Sequence, residues 1–133
     1  MATRLTIAQS ERALVWRQGR FAGILEPGVR WVMQPFASIA VQLYDLSVPE
    51  FEHPRLDELL TQARATMERH FHIVELGERE MGVVYKNGVL AGGLAPGKRQ
   101  LYWKGPTEIR VQKVPARRTS GTASEEAQSL VFL

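Results

Sequence analysis

The sequence predicts a mainly β fold of the α+β class: two duplicated three-stranded β-meander units joined by a strand and one amphipathic helix. Three observations predict it. The stretch Leu14–Gln34, LVWRQGRFAGILEPGVRWVMQ, recurs 69 residues later as Val83–Trp103, VVYKNGVLAGGLAPGKRQLYW. Inside both stretches, short apolar runs alternate with turn residues at Gly19 and Gly88, then at Pro27-Gly28 and Pro96-Gly97. Only the segment after Pro54 places apolar residues at helical spacing. Without gaps, the pairs Val15/Val84, Gly23/Gly92, Leu25/Leu94, Pro27/Pro96, Gly28/Gly97 and Arg30/Arg99 are identical. Such a period is too long for a solenoid and reads as two copies of one β unit.

Leu5–Gln9 alternates weakly and opens the chain as a strand. Ala13–Arg17 is a second strand, ended by Gln18-Gly19. The counterpart of that turn is Asn87-Gly88, whose two residues suit a type I′ hairpin because both positions need φ > 0. Arg20–Leu25 returns as a strand. Glu26-Pro27-Gly28 and Ala95-Pro96-Gly97 fit type II turns, with proline setting φ at the first central position and glycine accepting positive φ at the second. Val29–Met33 follows as the third strand of the meander. Ile39–Leu46 is a further strand with Ile39, Val41 and Leu43 on one face. Leu56, Leu59, Leu60, Ala63 and Met67 form one helical stripe, with Pro54 at the first position and Asp57 and Glu58 in the first turn. His70–Leu76 and Glu108–Val114 alternate as strands. The expected organisation is 1–49 first repeat, 50–73 helix and connecting strand, 74–114 second repeat and 115–133 a disordered tail. That tail, from Pro115 through Arg117, Arg118 and Glu126, is small and polar until the apolar Leu130–Leu133.

Composition narrows the function classes. A chain of 133 residues with 44% hydrophobic and 23% charged content has enough apolar material for one soluble domain. Zero cysteines exclude disulfides, thiolate nucleophiles and thiolate metal sites. No apolar run reaches the length of a spanning helix, so no transmembrane span is expected in this chain. Charge is polarised: residues 50–80 carry eight acidic and four basic side chains, and residues 81–118 carry eight basic and one acidic. That asymmetry can steer partners or draw copies together, although a solvated surface is the simpler explanation.

Gly92-x-x-x-x-Gly97-Lys98 matches most of a phosphate-binding loop, but Arg99 stands where Ser or Thr would ligate Mg²⁺. The following Gln100–Trp103 reads as a strand, and the other repeat has no lysine at that turn, so phosphate binding is rejected. His53, His70 and His72, with Glu50 or Glu52, are a candidate zinc-type set. Ordinary polar strand positions explain them more simply. No nucleophile elbow or base partner is present. The expectation is a non-enzymatic domain with no catalytic, cofactor-binding or metal residues. Lys86, Lys98, Arg99, Lys104, Arg110 and Lys113, interleaved with Tyr85, Tyr102 and Trp103, form a candidate interaction surface for anionic lipid or nucleic acid.

Glu11-Arg12-Ala13-Leu14-Val15-Trp16-Arg17-Gln18-Gly19-Arg20-Phe21, followed by Leu25-Glu26-Pro27-Gly28-Val29-Arg30-Trp31, resembles the opening of the stomatin–prohibitin (SPFH, band 7) domain. More narrowly it resembles the bacterial slipin form E-R-A-[VL]-[VL]-x-R-x-G-R, followed by a G-P-G or x-P-G turn and an aromatic. Asp45-Leu46-Ser47-Val48-Pro49 stands where that family has a V-D-[LM]-R strand, and residues 74–103 look like a second version of the opening. The resemblance covers residues 7–114 and implies the N-terminal region of a slipin with its opening β unit duplicated. It further implies a cytoplasmic scaffold module, peripheral at the inner face of the membrane. Such a module would self-associate as a homo-oligomer, touch anionic lipid and act with a membrane protease. The alternatives are a lipid- or nucleic-acid-binding module through residues 81–118, and a small metal-dependent enzyme around His53, His70 and His72.

Overall fold

Two hairpin tips set the local geometry. Gln18 and Gly19 have φ of 52° and 74°, and Asn87 and Gly88 have 52° and 78°, the left-handed pair that a type I′ turn requires. The protein's structure, a computed structural model, describes residues 2–33 and 38–116, with side chains over 4–31 and 38–116. In the first half the strands are β1 (Ala2–Ile7), β2 (Glu11–Arg17), β3 (Arg20–Leu25), β4 (Gly28–Met33) and β5 (Ile39–Asp45). A short β6 (Glu50–Phe51) leads to α1 (Leu56–Gln62) and α2 (Arg64–His70). The second half holds β7 (Phe71–Glu75), β8 (Glu80–Lys86), β9 (Val89–Leu94), β10 (Arg99–Trp103) and β11 (Ile109–Pro115). The fold is mainly β, built from several small antiparallel sheets and two short helices.

The third strand of each expected meander pairs elsewhere. β4 runs antiparallel to β1, from Ile7 opposite Gly28 to Ala2 opposite Met33, and β10 lies between β7 and β6. The cause lies one strand earlier. Val15 faces Gly23 while Trp16 faces Phe21, so Ala22 is an unopposed bulge residue, and Ala91 is the same residue in β9. A bulge bends its strand and increases its twist. The Pro-Gly bend that follows then carries the chain out of the hairpin's plane. The hairpins instead gain β5 and β11 on their other edges, giving the sheets β3-β2-β5 and β9-β8-β11.

The two Pro-Gly turns also differ. Gly97 has φ 74°, and Lys98 N–H donates to the Ala95 carbonyl at 3.2 Å, as the type II reading requires. Gly28 has φ 131° and is already paired with Ile7 as the first residue of β4. Pairing with β1 has stretched that turn into a bend.

Sheet β6-β10-β7 is the middle of the molecule. One face presents Phe51, Phe71, Leu101 and Trp103 to Leu59, Leu60 and Met67 of the helices and to Leu14 and Trp16 of β2. The Phe71 and Trp103 rings lie 4.1 Å apart, and Phe51 meets Trp103 edge-on at 5.5 Å. The opposite face presents Val74 and Tyr102 to Val84, Leu94, Ile109 and Val111 of the second-half sheet. Packing there is tight: a Cβ on Gly82 would sit 3.2 Å from Val111 and 3.3 Å from Leu94. The sheets therefore stack in the order β1-β4, β3-β2-β5, β6-β10-β7, β9-β8-β11, with the helices filling the central seam.

One continuous helix is expected from the apolar stripe, and the structure breaks it at Ala63, where φ is −131° and ψ 38°. Thr61 Oγ1 donates to the Asp57 carbonyl at 2.8 Å, a back-bond that bends helices, and the break follows two residues later. Pro54 falls just before the cap residue Arg55. The stripe itself holds: Leu59, Leu60 and Met67 are buried. His70 closes α2 instead of opening a strand. Of the tail expected at 115–133, Pro115 instead ends β11 and Ala116 N–H donates to the Arg79 carbonyl at 2.8 Å, because the β8 edge pairs the strand that far; residues 117–133 lie outside the described residues.

Candidate interaction surface

The six cations are not gathered on one face. Lys86, at the end of β8, pairs with Glu50 of β6. Arg99 of β10 pairs with Asp57 at the start of α1. Lys104 Nζ donates to the Glu68 carbonyl at 2.9 Å, capping the end of α2, and Lys113 Nζ donates to the Glu75 carbonyl at 3.1 Å. The Arg110 guanidinium lies over the Tyr85 ring at 4.5 Å. Arg110 and Lys113, three residues apart, leave β11 on opposite faces. Lys98, in the exposed β9–β10 turn, is the one of the six whose side chain has neither a polar nor an aromatic partner among the described residues. Tyr102 and Trp103 are core residues, as their strand position predicts. Burial, with the Glu50 charge added, pushes the Tyr102 phenol up to about 12. Burial is the largest single influence on the Glu50 carboxyl and raises it, but the Lys86 hydrogen bond, a backbone hydrogen bond and the Lys86 charge together outweigh it and hold the group below its usual range.

The three histidines are separate. His53 sits in the β6–α1 connection, stacked on Trp16 with ring centroids 5.3 Å apart. Its Nδ1 accepts the Arg55 backbone N–H at 3.0 Å, so the ring proton is on Nε2, which faces Gln42 Oε1 at 3.0 Å. The same Gln42 oxygen accepts Trp16 Nε1–H at 2.9 Å, and the Arg55 guanidinium covers the indole at 4.2 Å. This polar node ties β2 and β5 to the start of α1. His70 is buried at the end of α2, and His72 is exposed on β7 opposite Tyr102. Burial lowers the affinity of all three for a proton. Among the described residues, no group of three or more His, Asp or Glu side chains is placed to hold a metal ion. No described helix is long and apolar enough to cross a membrane.

The feature that the sequence reading passed over is an open cleft in the first half. It lies between β4 and the β3-β2 hairpin, with a volume of about 520 Å³, and is lined by Val15, Ile24, Leu25 and Trp31 with Arg17 and Arg30 beside them. Trp31 is 65% exposed, Val29 48% and Leu43 52%. The matching space in the second half is filled by Val74, Leu76, Leu94 and Tyr102. The difference follows from strand register. Gln100, the repeat partner of Trp31, lies opposite Val74, whereas Trp31 lies opposite Arg4. A polar residue therefore stands on β1 where an apolar one plugs the second-half core. Arg4 and Thr6, set beside Val74 and Leu76, carry the signal in the sequence, but only once the pairing of β1 with β4 is known.

The structural turn residues Gly19, Pro27, Gly28, Gly88, Pro96 and Gly97 all fall at strand junctions. No protein-family model, curated protein or solved structure matches this chain.

Proposed function

We propose that this chain is a non-enzymatic interaction and self-assembly module: the N-terminal β region of a slipin-like, membrane-associated scaffold whose opening unit has been duplicated. The open first half carries the reading. Val29 and Trp31 on β4 and Leu43 on β5 are large apolar side chains left in water, and β4 has a pairing partner on one edge alone among the described residues. Exposed apolar groups of this kind beside an unpaired strand edge favour association with another chain. The Glu-Arg pair, the basic hairpin and the x-P-G turn supply the resemblance to slipins. By that resemblance the assembly serves to organise membrane microdomains and to regulate a membrane protease, in the cytoplasm at the inner face of the membrane.

The rival reading, direct binding of anionic lipid or nucleic acid through residues 81–118, is weakened by the internal use of its cations. A base already paired with Glu50 or Asp57 must break that pair before it can meet a phosphate. Sedimentation velocity over a concentration series tests the leading reading. The sedimentation coefficient is expected to rise with concentration, and a strict monomer at the highest soluble concentration overturns it.

A further inference from the structure

We infer that the first-half cleft is the docking site for residues 125–133 of a second copy of this chain, added as an extended strand to the free edge of β4. The inference rests on the assembly reading and names the surface and the segment that carry it.

The second half provides the template. There the edge of β10 is covered by β6, with Phe51 paired to Leu101 and Glu50 to Tyr102. Phe51 drops its ring into the core beside Phe71 and Trp103, and Glu50 is held by Lys86. The occupant of a β10-type edge is thus an acidic residue followed by a large apolar one, seated next to a base. The corresponding edge of β4 has no strand among the described residues. Its cleft offers an apolar floor, Val15, Ile24, Leu25 and Trp31, with two bases at hand, Arg17 and Arg30. Neither arginine forms an ion pair among the described residues.

Residues 125–133 match that site in kind: Glu125-Glu126, a short spacer, then Leu130-Val131-Phe132-Leu133. Strand addition uses backbone hydrogen bonds for affinity and side-chain pockets for selectivity, and the two acids answer the two bases. Reach favours a second copy over the same one. Ala116 is bonded to the Arg79 carbonyl in the outermost second-half layer, and the cleft lies between the first two layers of the stack. At about 10 Å per layer that is roughly 25 Å straight through the molecule. Eight residues lie between Ala116 and Glu125, nine steps along the chain with a fully extended reach of about 30 Å, too little to travel round the outside.

The test uses the full chain in four forms: wild type, Arg17→Glu/Arg30→Glu, Glu125→Arg/Glu126→Arg, and Trp31→Ser. Far-ultraviolet circular dichroism checks each fold, and Trp31→Ser serves as an uncharged cleft variant. Wild type is expected to associate. Each variant alone is expected to associate at least tenfold more weakly. An equimolar mixture of the two charge variants is expected to regain wild-type association, because each cleft then meets a tail of opposite sign. If wild type associates and the variants match it, the docking site is wrong and the assembly reading stands. If the variants are weakened but mixing restores nothing, the charge-matched contact between copies is wrong. A wild type that stays monomeric overturns both.

Discussion

Gly88 shows how much a single backbone angle asks of a residue. At φ 78° an L side chain is strained even though a Cβ there meets nothing within 4 Å. Gly88→Ala is therefore expected to destabilise the protein by about 1–2 kcal/mol through the left-handed conformation alone, read as a lower urea midpoint with an unchanged slope. An unchanged midpoint would rule out the type I′ geometry. Turns of this kind are legible in sequence because few residues tolerate positive φ. The Trp16–Gln42–His53–Arg55 node is not legible, because it joins side chains from β2, β5 and the stretch entering α1 that meet only after the sheets stack. The same holds for the cations: their number and sign can be read from the chain, but their partners Glu50, Asp57 and Glu68 come from another element.

Strand boundaries were largely readable because apolar alternation and turn residues are both local. Pairing was not. Whether the strand after a Pro-Gly turn returns to its hairpin or leaves it depends on a bulge at Ala22 and Ala91, which alternation does not encode. The open cleft follows from that pairing, so it was hidden for the same reason. The helical segment carries a pH dependence that is also a property of packing. His53, at the entry to α1, and His70, at the end of α2, both have their proton affinity lowered, first by burial and then by neighbouring cations, Arg55 for His53 and chiefly Arg69 for His70. Glu26 opposes the shift at His70 without reversing it. His72 on β7 is lowered as well, by burial and then by Lys104. A depressed folded-state value means that the unfolded chain binds more protons, so stability is full above the ordinary value of 6.5 and declines as pH falls below it. Protonating His53 Nδ1 also removes the acceptor for the Arg55 N–H, loosening the first turn of α1. Thermal midpoints measured between about pH 7.5 and 5 should fall on acidification, and His53→Gln should flatten part of the fall. A midpoint that rises over that interval would contradict the buried-histidine account.

On the scale of the whole molecule, the two halves share a pairing plan and differ in closure. The second is plugged by its own side chains and the first presents its equivalent space to solvent. β6 has a consequence of another sort. The strand that completes the β10 sheet belongs to the peptide leaving the first half, and Trp103 N–H donates to the Pro49 carbonyl at 2.8 Å just beyond it. Leu46, one residue past β5, lies against Gly105 on the far side of the chain. The larger core cluster joins Leu14, Trp16 and Leu46 of the first half to Phe71, Leu101 and Trp103 of the second, so cooperativity spans the boundary between the halves. Calorimetry should show one transition whose van't Hoff and calorimetric enthalpies agree; two resolved transitions would separate the halves into independent domains. Cleavage within residues 47–49 would strip the second half of its edge strand's anchor and melt both halves together. Two paired residues, Phe51 opposite Leu101 and Glu50 opposite Tyr102, thus make one folding event of the two halves.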